Sequence, residues 1–437
     1  MNERINRSKG GTPRGSIPPG TQWEYRLTRL RFYQGQFVRR SIDIWPQGTG
    51  GDKLAELDAI AVSFDPQLRR RVEVIEGKTS AGRSGEIDRV IWLRGIGTLV
   101  PADDVVIAKT KVDERTRHLA RRLQVSVLDE HAVAAAERAL EIQDDDWVGM
   151  HDPEFGERII KPRREALGKA AELNRAGKFL FGSYWFTDEF TRLKQLRTLF
   201  RLTAVQLGKV DDRVITLAVG EATALFALAA YSVASWHDQY SPDAFNRFLT
   251  HELSSGVADA DNLRRILRRI DDIHRQDIEA VHNAYIAGGV ARAILPVRSL
   301  EADILRPAEW IEGFLDLIAR LRAHPHLATA VIRTLDLRFA ERLGSTRDIR
   351  KVQRGWQSDI DTVTQLAETV ERFLITVWGA PAPAYLPFRH ASPTPSPSRE
   401  TLSSQPPEPL SAEPEPPHVA PEQETLLDPD GADIDAT

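Results

Sequence analysis

The run from Val214 to Trp236, VITLAVGEATALFALAAYSVASW, places a single charge, Glu221, in 23 residues. Such a segment is long enough to cross a bilayer, or it is the inner helix of a large helical body. A carboxylate at mid-span is costly in lipid, and the abundant small residues suit a packed core. The run is therefore expected to be a buried helix, with no membrane involved.

The sequence around it supplies a helical setting. From about Asp144 the strand signals end, and the spacing predicts helices over 163–176, 187–206, 212–236, 242–254, 259–286, 300–322, 327–342 and 352–378. With 437 residues, 41% apolar and 28% charged, the chain accommodates two domains plus tails. It has no cysteine, which excludes disulfides, cysteine-ligated zinc, iron–sulfur clusters and a cysteine nucleophile. The N-terminus lacks the apolar stretch of a secretory signal, so a cytoplasmic location is expected.

The first third reads differently. Residues 1–20 are expected to be a flexible basic arm, rich in Gly, Pro, Ser and Arg. Thr21 with Glu24 three residues on matches a capping box, and Trp23, Leu27, Leu30 and Phe32 continue a helix until Gly35. Strands follow in FVRRSIDIW, AELDAIAVSF and RRRVEVIEGKTS, the last two joined at Asp65-Pro66. Then come a helix from Glu86 to Thr98 with Ile87, Val90, Ile91 and Leu93 as its apolar stripe, the strand DVVIAKT, the helix DERTRHLARRL, the strand VSVLD and a helix from Glu130 to Ile142.

The order αβββαβαβα predicts an α/β domain over residues 21–143, with an antiparallel meander of three strands extended by two parallel ones. A large all-α domain over 144–380 is expected next, for target recognition, oligomerisation or partner binding. The tail, 381–437, is expected to be disordered: 11 of the 26 prolines fall after His390, with ten acidic residues against Arg399 alone. Residues 1–140 hold 24 Lys and Arg against 18 Asp and Glu, a lean toward a polyanionic partner that the net charge of −5 conceals.

The residues with most chemical promise lie on the second and third strands: Asp58 in AELDAIAV, and Glu76 and Lys78 in VEVIEGKTS. Side chains alternate along a strand, so Glu76 and Lys78 share a face that Gly77 does not. If the two strands pair, Asp58 lies beside Glu76. Paired carboxylates suit magnesium or manganese with water ligands that attack a phosphodiester, and a lysine offsets the charge growing on phosphate oxygens. The plainer alternative for this trio is a cross-strand salt bridge on a solvated face.

The first helix with Glu24, Asp58 on strand two, Glu76-Gly77-Lys78 on strand three, and the following helix and strand together resemble the PD-(D/E)xK restriction-endonuclease-like nucleases. GTGGDKLAELDAIAV and VVIAKTKVDERTRHLARRLQVSVLDEHAV resemble the branch with Holliday-junction resolvases and Mrr-type restriction enzymes. The resemblance covers about residues 21–140 and implies an αβββαβ core. It also implies that Asp58 and Glu76 bind metal, that Lys78 serves the attacking water, and that Glu24 adds or orients a ligand. Gly77 stands where that family carries an apolar residue.

Arg39, Arg40, Arg89 and Arg83, the last in the loop SAGRSG after Lys78, are candidate contacts for a nucleic-acid backbone. RRILRRI (Arg264, Arg265, Arg268, Arg269) is expected to be a salt-bridged solvated face, and FLFGSYWF (Phe179–Phe186) a core or interface segment. The histidines have no paired ligand spacing, and GxxxxGK[ST] and GxSxG are missing, so no ATP motor or serine-hydrolase elbow is expected. The expected function is a Mg- or Mn-dependent endonuclease acting on DNA in bacterial defence or repair, in the simplest case as a homodimer. The alternative is a catalytically inactive nuclease fold serving as a DNA-binding or scaffold protein through its helical domain.

Overall fold

Two prolines decide where the first helix starts. In the computed structural model, α1 (Pro19–Tyr33) has Pro18 as its N-cap residue, and the Gln22 N–H donates to the Pro18 carbonyl at 2.9 Å. A proline in the first turn lacks only an N–H that needs no partner there, and its φ is already helical. Thr21 therefore lies inside the helix, which corrects the capping-box expectation and moves the end of the expected basic arm from residue 20 to 18. The structure describes residues 17–45, 53–79, 85–254, 260–289, 299–304, 308–345, 352–353, 355–356 and 359–381. Most of the expected arm, Arg83 and nearly all of the expected tail lie outside the described residues.

The sheet follows the expected order. Strands β1 (Phe37–Ile44), β2 (Ala55–Phe64) and β3 (Arg70–Lys78) pair antiparallel, and β4 (Asp104–Lys109) and β5 (Ser126–Asp129) add parallel to β3 in the order β1-β2-β3-β4-β5. The β2–β3 turn is closed by Asp65, whose Oδ1 accepts the N–H groups of Gln67 and Arg69, each at 2.9 Å. Helices α2 (Glu86–Leu99), α3 (Glu114–Arg122) and α4 (Glu130–Ala139) make the crossovers and close the region; Asp113 and Asp129 cap α3 and α4 through the N–H groups of Thr116 and Ala132.

One sheet face packs Ala59, Ala61, Ile75, Val106 and Ala108 against Trp23, Leu27 and Leu30 of α1 and Val133 of α4. The other packs Ile60, Val62, Val74, Val105 and Ile107 against Val90, Leu93 and Ile96 of α2. Ile91, expected in the α2 stripe, is 54% exposed; the inward arc runs through Val90, Leu93 and Ile96 instead.

An all-helical region follows: α5 (Pro153–Phe155), α6 (Lys161–Lys169), α7 (Asn174–Leu180), α8 (Glu189–Val205), α9 (Asp212–Ala234), α10 (Pro242–Ser254), α11 (Ala260–Ala287), α12 (Leu300–Ile304), α13 (Ile311–Arg322), α14 (Ala328–Arg342) and α15 (Ile360–Thr376). Three expected helices come out shorter or divided. The span 163–176 breaks between α6 and α7, 300–322 divides into α12 and α13, and 352–378 has its long helix only from Ile360. The sheet and these helices belong to one compact unit and share a core. Within FLFGSYWF, Phe179, Phe181, Tyr184 and Trp185 are buried, and the Phe181 carbonyl accepts the N–H of Asp43 on β1, as the core or interface reading requires.

Helix α9 is the inner helix. Every residue from Leu217 to Ala234 is buried, between α8, α13 and α14. Gly220 lets α14 come close: a Cβ there would lie 1.9 Å from a ring carbon of Phe339. Glu221 is neutralised by Arg39 of β1, whose Nε donates to Glu221 Oε1 at 2.7 Å and whose Nη2 donates to Asp336 Oδ1 of α14, also at 2.7 Å. The three side chains are 5%, 1% and 2% exposed. Burial raises the Glu221 carboxyl above its ordinary pKa despite the opposing Arg39 charge, while for Arg39 the two carboxylates outweigh burial and hold its proton more tightly. Arg39 is thus an internal cross-link, and its expected contact with nucleic acid is corrected.

Next to this cross-link the His151 ring packs against Phe32 of α1, tilted by 39° with ring centroids 4.8 Å apart. Burial first, then the nearby charges of Arg39, Arg333 and Arg40, push its pKa down to about 3. The unfolded chain then binds the extra proton between the ordinary histidine value and about 3, so acid draws the equilibrium toward unfolding. Each pH unit in that window costs up to about 1.4 kcal/mol through this one group. Denaturant titrations of wild type and His151→Gln from neutral pH downward will show a smaller loss of stability in the variant. Arg39→Met, which strands two buried carboxylates, will cost about 3–5 kcal/mol, and Arg39→Met with Glu221→Gln and Asp336→Asn will recover much of it.

Candidate active site

Strand β2 changes its pairing at Asp58. Its register with β1 passes from Arg40↔Ala59 to Ile42↔Leu57, leaving out Ser41 and Asp58, and its pairing with β3 ends at Ala59↔Ile75. Ser41 has φ +58°, an uncommon conformation for a residue with a Cβ, and its carbonyl accepts from Arg164 Nη1 at 2.7 Å. Where the β3 ladder stops, the Asp58 carboxylate replaces a backbone acceptor: Oδ2 takes the Gly77 N–H at 2.8 Å. The side chain that the sequence marks for chemistry is thereby fixed at the fork between β2 and β3.

The expected trio converges. Lys78 Nζ lies 3.2 Å from Asp58 Oδ2 and 2.9 Å from Glu76 Oε1. Glu76 is fully buried, and Arg89 of α2 also donates to its Oε1 while stacking over the Trp92 ring at 3.9 Å. Glu76 Oε2 is buried and has no hydrogen-bond partner among the described residues. Glu24 joins from α1, its Oε2 accepting from Arg40 Nη1 at 3.0 Å. Arg40 in turn donates through Nη2 to the Tyr25 hydroxyl at 2.6 Å and to Glu157 Oε1 at 2.9 Å. Of the four expected backbone-binding arginines, Arg89 and Arg40 are engaged with site carboxylates, Arg39 is internal, and Arg83 lies outside the described residues.

Crowded carboxylates in a half-dry setting resist ionisation. Burial, then the Asp58 charge, raise the Glu24 pKa to about 7 against the pull of Arg40 and Lys78. Burial and Asp58 likewise raise Glu76, opposed by Lys78 and Arg89. For Lys78, burial acts to lower the pKa, but Asp58 and Glu76 outweigh it, so the ammonium stays charged. A buried carboxylate oxygen with no partner among the described residues, beside a second carboxylate, suits a hard divalent cation, which needs only one or two protein carboxylates and keeps its waters. Asp58 and Glu76 would hold it. Among the described residues no cluster of three or more His, Cys, Asp or Glu is placed to hold a metal ion, so this fit rests on the pair.

Gly77, Tyr25 and Glu157 have site roles that sequence reasoning missed. A Cβ on Gly77 would lie 2.9 Å from Leu27 Cδ1, 3.4 Å from Trp23 Cδ1 and 3.7 Å from Glu24 Cγ. The glycine therefore sets how closely α1 approaches β3, and with it the place of Glu24. Its departure from the family pattern was the available signal. Glu157 lies in the π-turn Gly156–Ile160, where close approach to Tyr25 again needs a glycine: a Cβ on Gly156 would come 1.8 Å from the Tyr25 hydroxyl. No spacing in the sequence links these residues to Arg40. Gly77→Ala is expected to push α1 outward and cost about 1–3 kcal/mol, as overpacking does, which thermal and denaturant melts will measure.

Compared as a whole, the chain matches no family model, no curated protein and no solved structure.

Proposed function

We propose that the N-terminal sheet region is a restriction-endonuclease-like αβββαβ nuclease core that hydrolyses phosphodiester bonds of DNA with magnesium or manganese. The observation that carries the reading is the convergence of Asp58, Glu76 and Lys78, within 3.2 Å of one another through Nζ, at the point where β2 parts from β3. A bound divalent ion would supply Lewis-acid polarisation of the phosphate and an acidified water.

The protein side of the reaction follows from the charges. Lys78, held protonated by two carboxylates, is suited to offset the negative charge that grows on the phosphate rather than to act as a base. Glu24, with its pKa near 7, is able to take a proton from an attacking water and release it again at neutral pH. Arg40 and Tyr25 hold the Glu24 arm in place. Arg89 and Lys78 both engage Glu76 Oε1 and so orient the carboxylate, leaving Oε2 without a partner among the described residues. Defence against foreign DNA or repair is the cellular setting that the family resemblance implies.

The purified full chain is tested on supercoiled plasmid, linear duplex and single-stranded DNA with magnesium, manganese or EDTA. Metal-dependent cutting that falls at least about 100-fold in Glu76→Gln and in Lys78→Ala, with melting curves showing both variants folded, is the expected result. Failure of the folded wild type to cut any substrate, with DNA binding retained, would instead assign the sheet to a DNA-binding or scaffold role exercised through the helical region.

A further inference from the structure

Helix α11 is 28 residues long, about 42 Å, and much of its apolar surface is uncovered. Ile266, Ile270, Ile273 and Val281 are between 41% and 54% exposed, whereas Leu267 is 5% exposed. The spacing 266, 270, 273, 277, 281, 284 follows one face of a helix, with Asp277 set inside the otherwise apolar stripe. A different side of α11 carries its packing against α12. There Asp271 accepts from Ser299 Oγ at 2.6 Å and the Leu300 N–H at 2.8 Å, and Glu301 pairs with Arg264 and Arg268 at 3.7 and 2.9 Å. Arg269 and Asp277 have no ion-pair partner among the described residues, whereas Arg264, Arg268 and Arg275 do.

The charge pattern of α11 says what fits this face. Its first half, 260–270, carries Arg264, Arg265, Arg268 and Arg269 against Asp261, a net +3. Its second half, 271–287, carries Asp271, Asp272, Asp277 and Glu279 against Arg275, a net −3. The helix is thus electrostatically complementary to its own reverse. Parallel pairing would bring like halves together, which is costly, while a two-fold axis at the middle of the helix brings each basic half onto an acidic one. The same axis sets Ile266 against the smaller Ala280 and Val281 and Ile273 against its own copy, and it places Asp277 opposite Arg269 and Ile270 of the other copy, so that Arg269 supplies its counter-ion.

The geometry points to a second copy of this chain as the occupant: two α11 helices pair antiparallel, with Ile266, Ile270, Ile273 and Val281 as the seam and two reciprocal Arg269–Asp277 ion pairs. Within one chain Arg269 and Asp277 are eight residues, about 12 Å, apart along the helix, so the pairs form only between copies. This inference stands apart from the nuclease reading, because its readout is association and not cleavage.

The test is sedimentation equilibrium of the full chain across a wide concentration range, for wild type, Ile270→Asp, Arg269→Asp, Asp277→Arg and the double swap Arg269→Asp with Asp277→Arg. Circular dichroism confirms that each is folded. A wild-type dimer is expected, with a dissociation constant raised about tenfold or more in each single variant and brought back most of the way in the double swap. A monomeric wild type would overturn the proposal and leave the face to residues 290–298 of the same chain or to another protein. A dimer that the single variants leave unchanged, or that the double swap fails to restore, would overturn it as well.

Discussion

The buried ion cluster of Arg39, Glu221 and Asp336 sets the relation between the sheet and the helices. Placing three charged groups in an apolar interior costs several kcal/mol per ion, and that cost is offset only if each finds its partner in good geometry. The requirement is met by one arrangement: β1 must present Arg39 where α9 and α14 cross, with both carboxylates at 2.7 Å. Displacement of β1 relative to α9 would strand a charge, so the cluster selects one docking of the sheet on the helical body and resists sliding. Gly220 contributes to the same selection, because only a glycine admits Phe339 where α9 and α14 meet.

The candidate active site inherits that rigidity. Arg39 and Arg40 are consecutive on β1, so their side chains leave opposite faces of the strand. One locks the strand to the helical body, and the other holds Glu24 together with Tyr25 and Glu157. A carboxylate with its pKa near 7 needs such support, since small displacements toward water or toward Lys78 would return it to an ordinary value. The helical region therefore touches the site twice, through the strand that carries Arg40 and through Glu157 of the π-turn. An isolated sheet region would lose both contacts.

Much of the fold was legible because its signals are local. Alternating apolar residues and the turn at Asp65-Pro66 act within a few residues, and the strand and helix order follows from such signals. The trio of Asp58, Glu76 and Lys78 was legible for a similar reason, since strand alternation and a short turn between neighbouring strands place all three. The start of α1 was misread because two signals competed. Thr21 and Glu24 have capping-box spacing, but Pro18 and Pro19 make an earlier start available at no hydrogen-bond cost.

The role of Arg39 could not be read locally. In sequence it is one of two adjacent arginines on a strand, the pattern of a basic edge, and its partners stand 182 and 297 positions away. The sequence by itself determined that Glu221 needs a buried helix and a remedy for its charge, that the sheet has three antiparallel strands extended by two parallel ones, and that two carboxylates and a lysine share the β2–β3 fork. Only the tertiary structure decided which cation neutralises Glu221, that α1 comes near enough to Gly77 to bring in Glu24, and which face of α11 is left uncovered. Periodicity and turn chemistry act over a few residues and are written in order along the chain. Charge pairing and close packing act through space, and space is ordered only once the chain has folded.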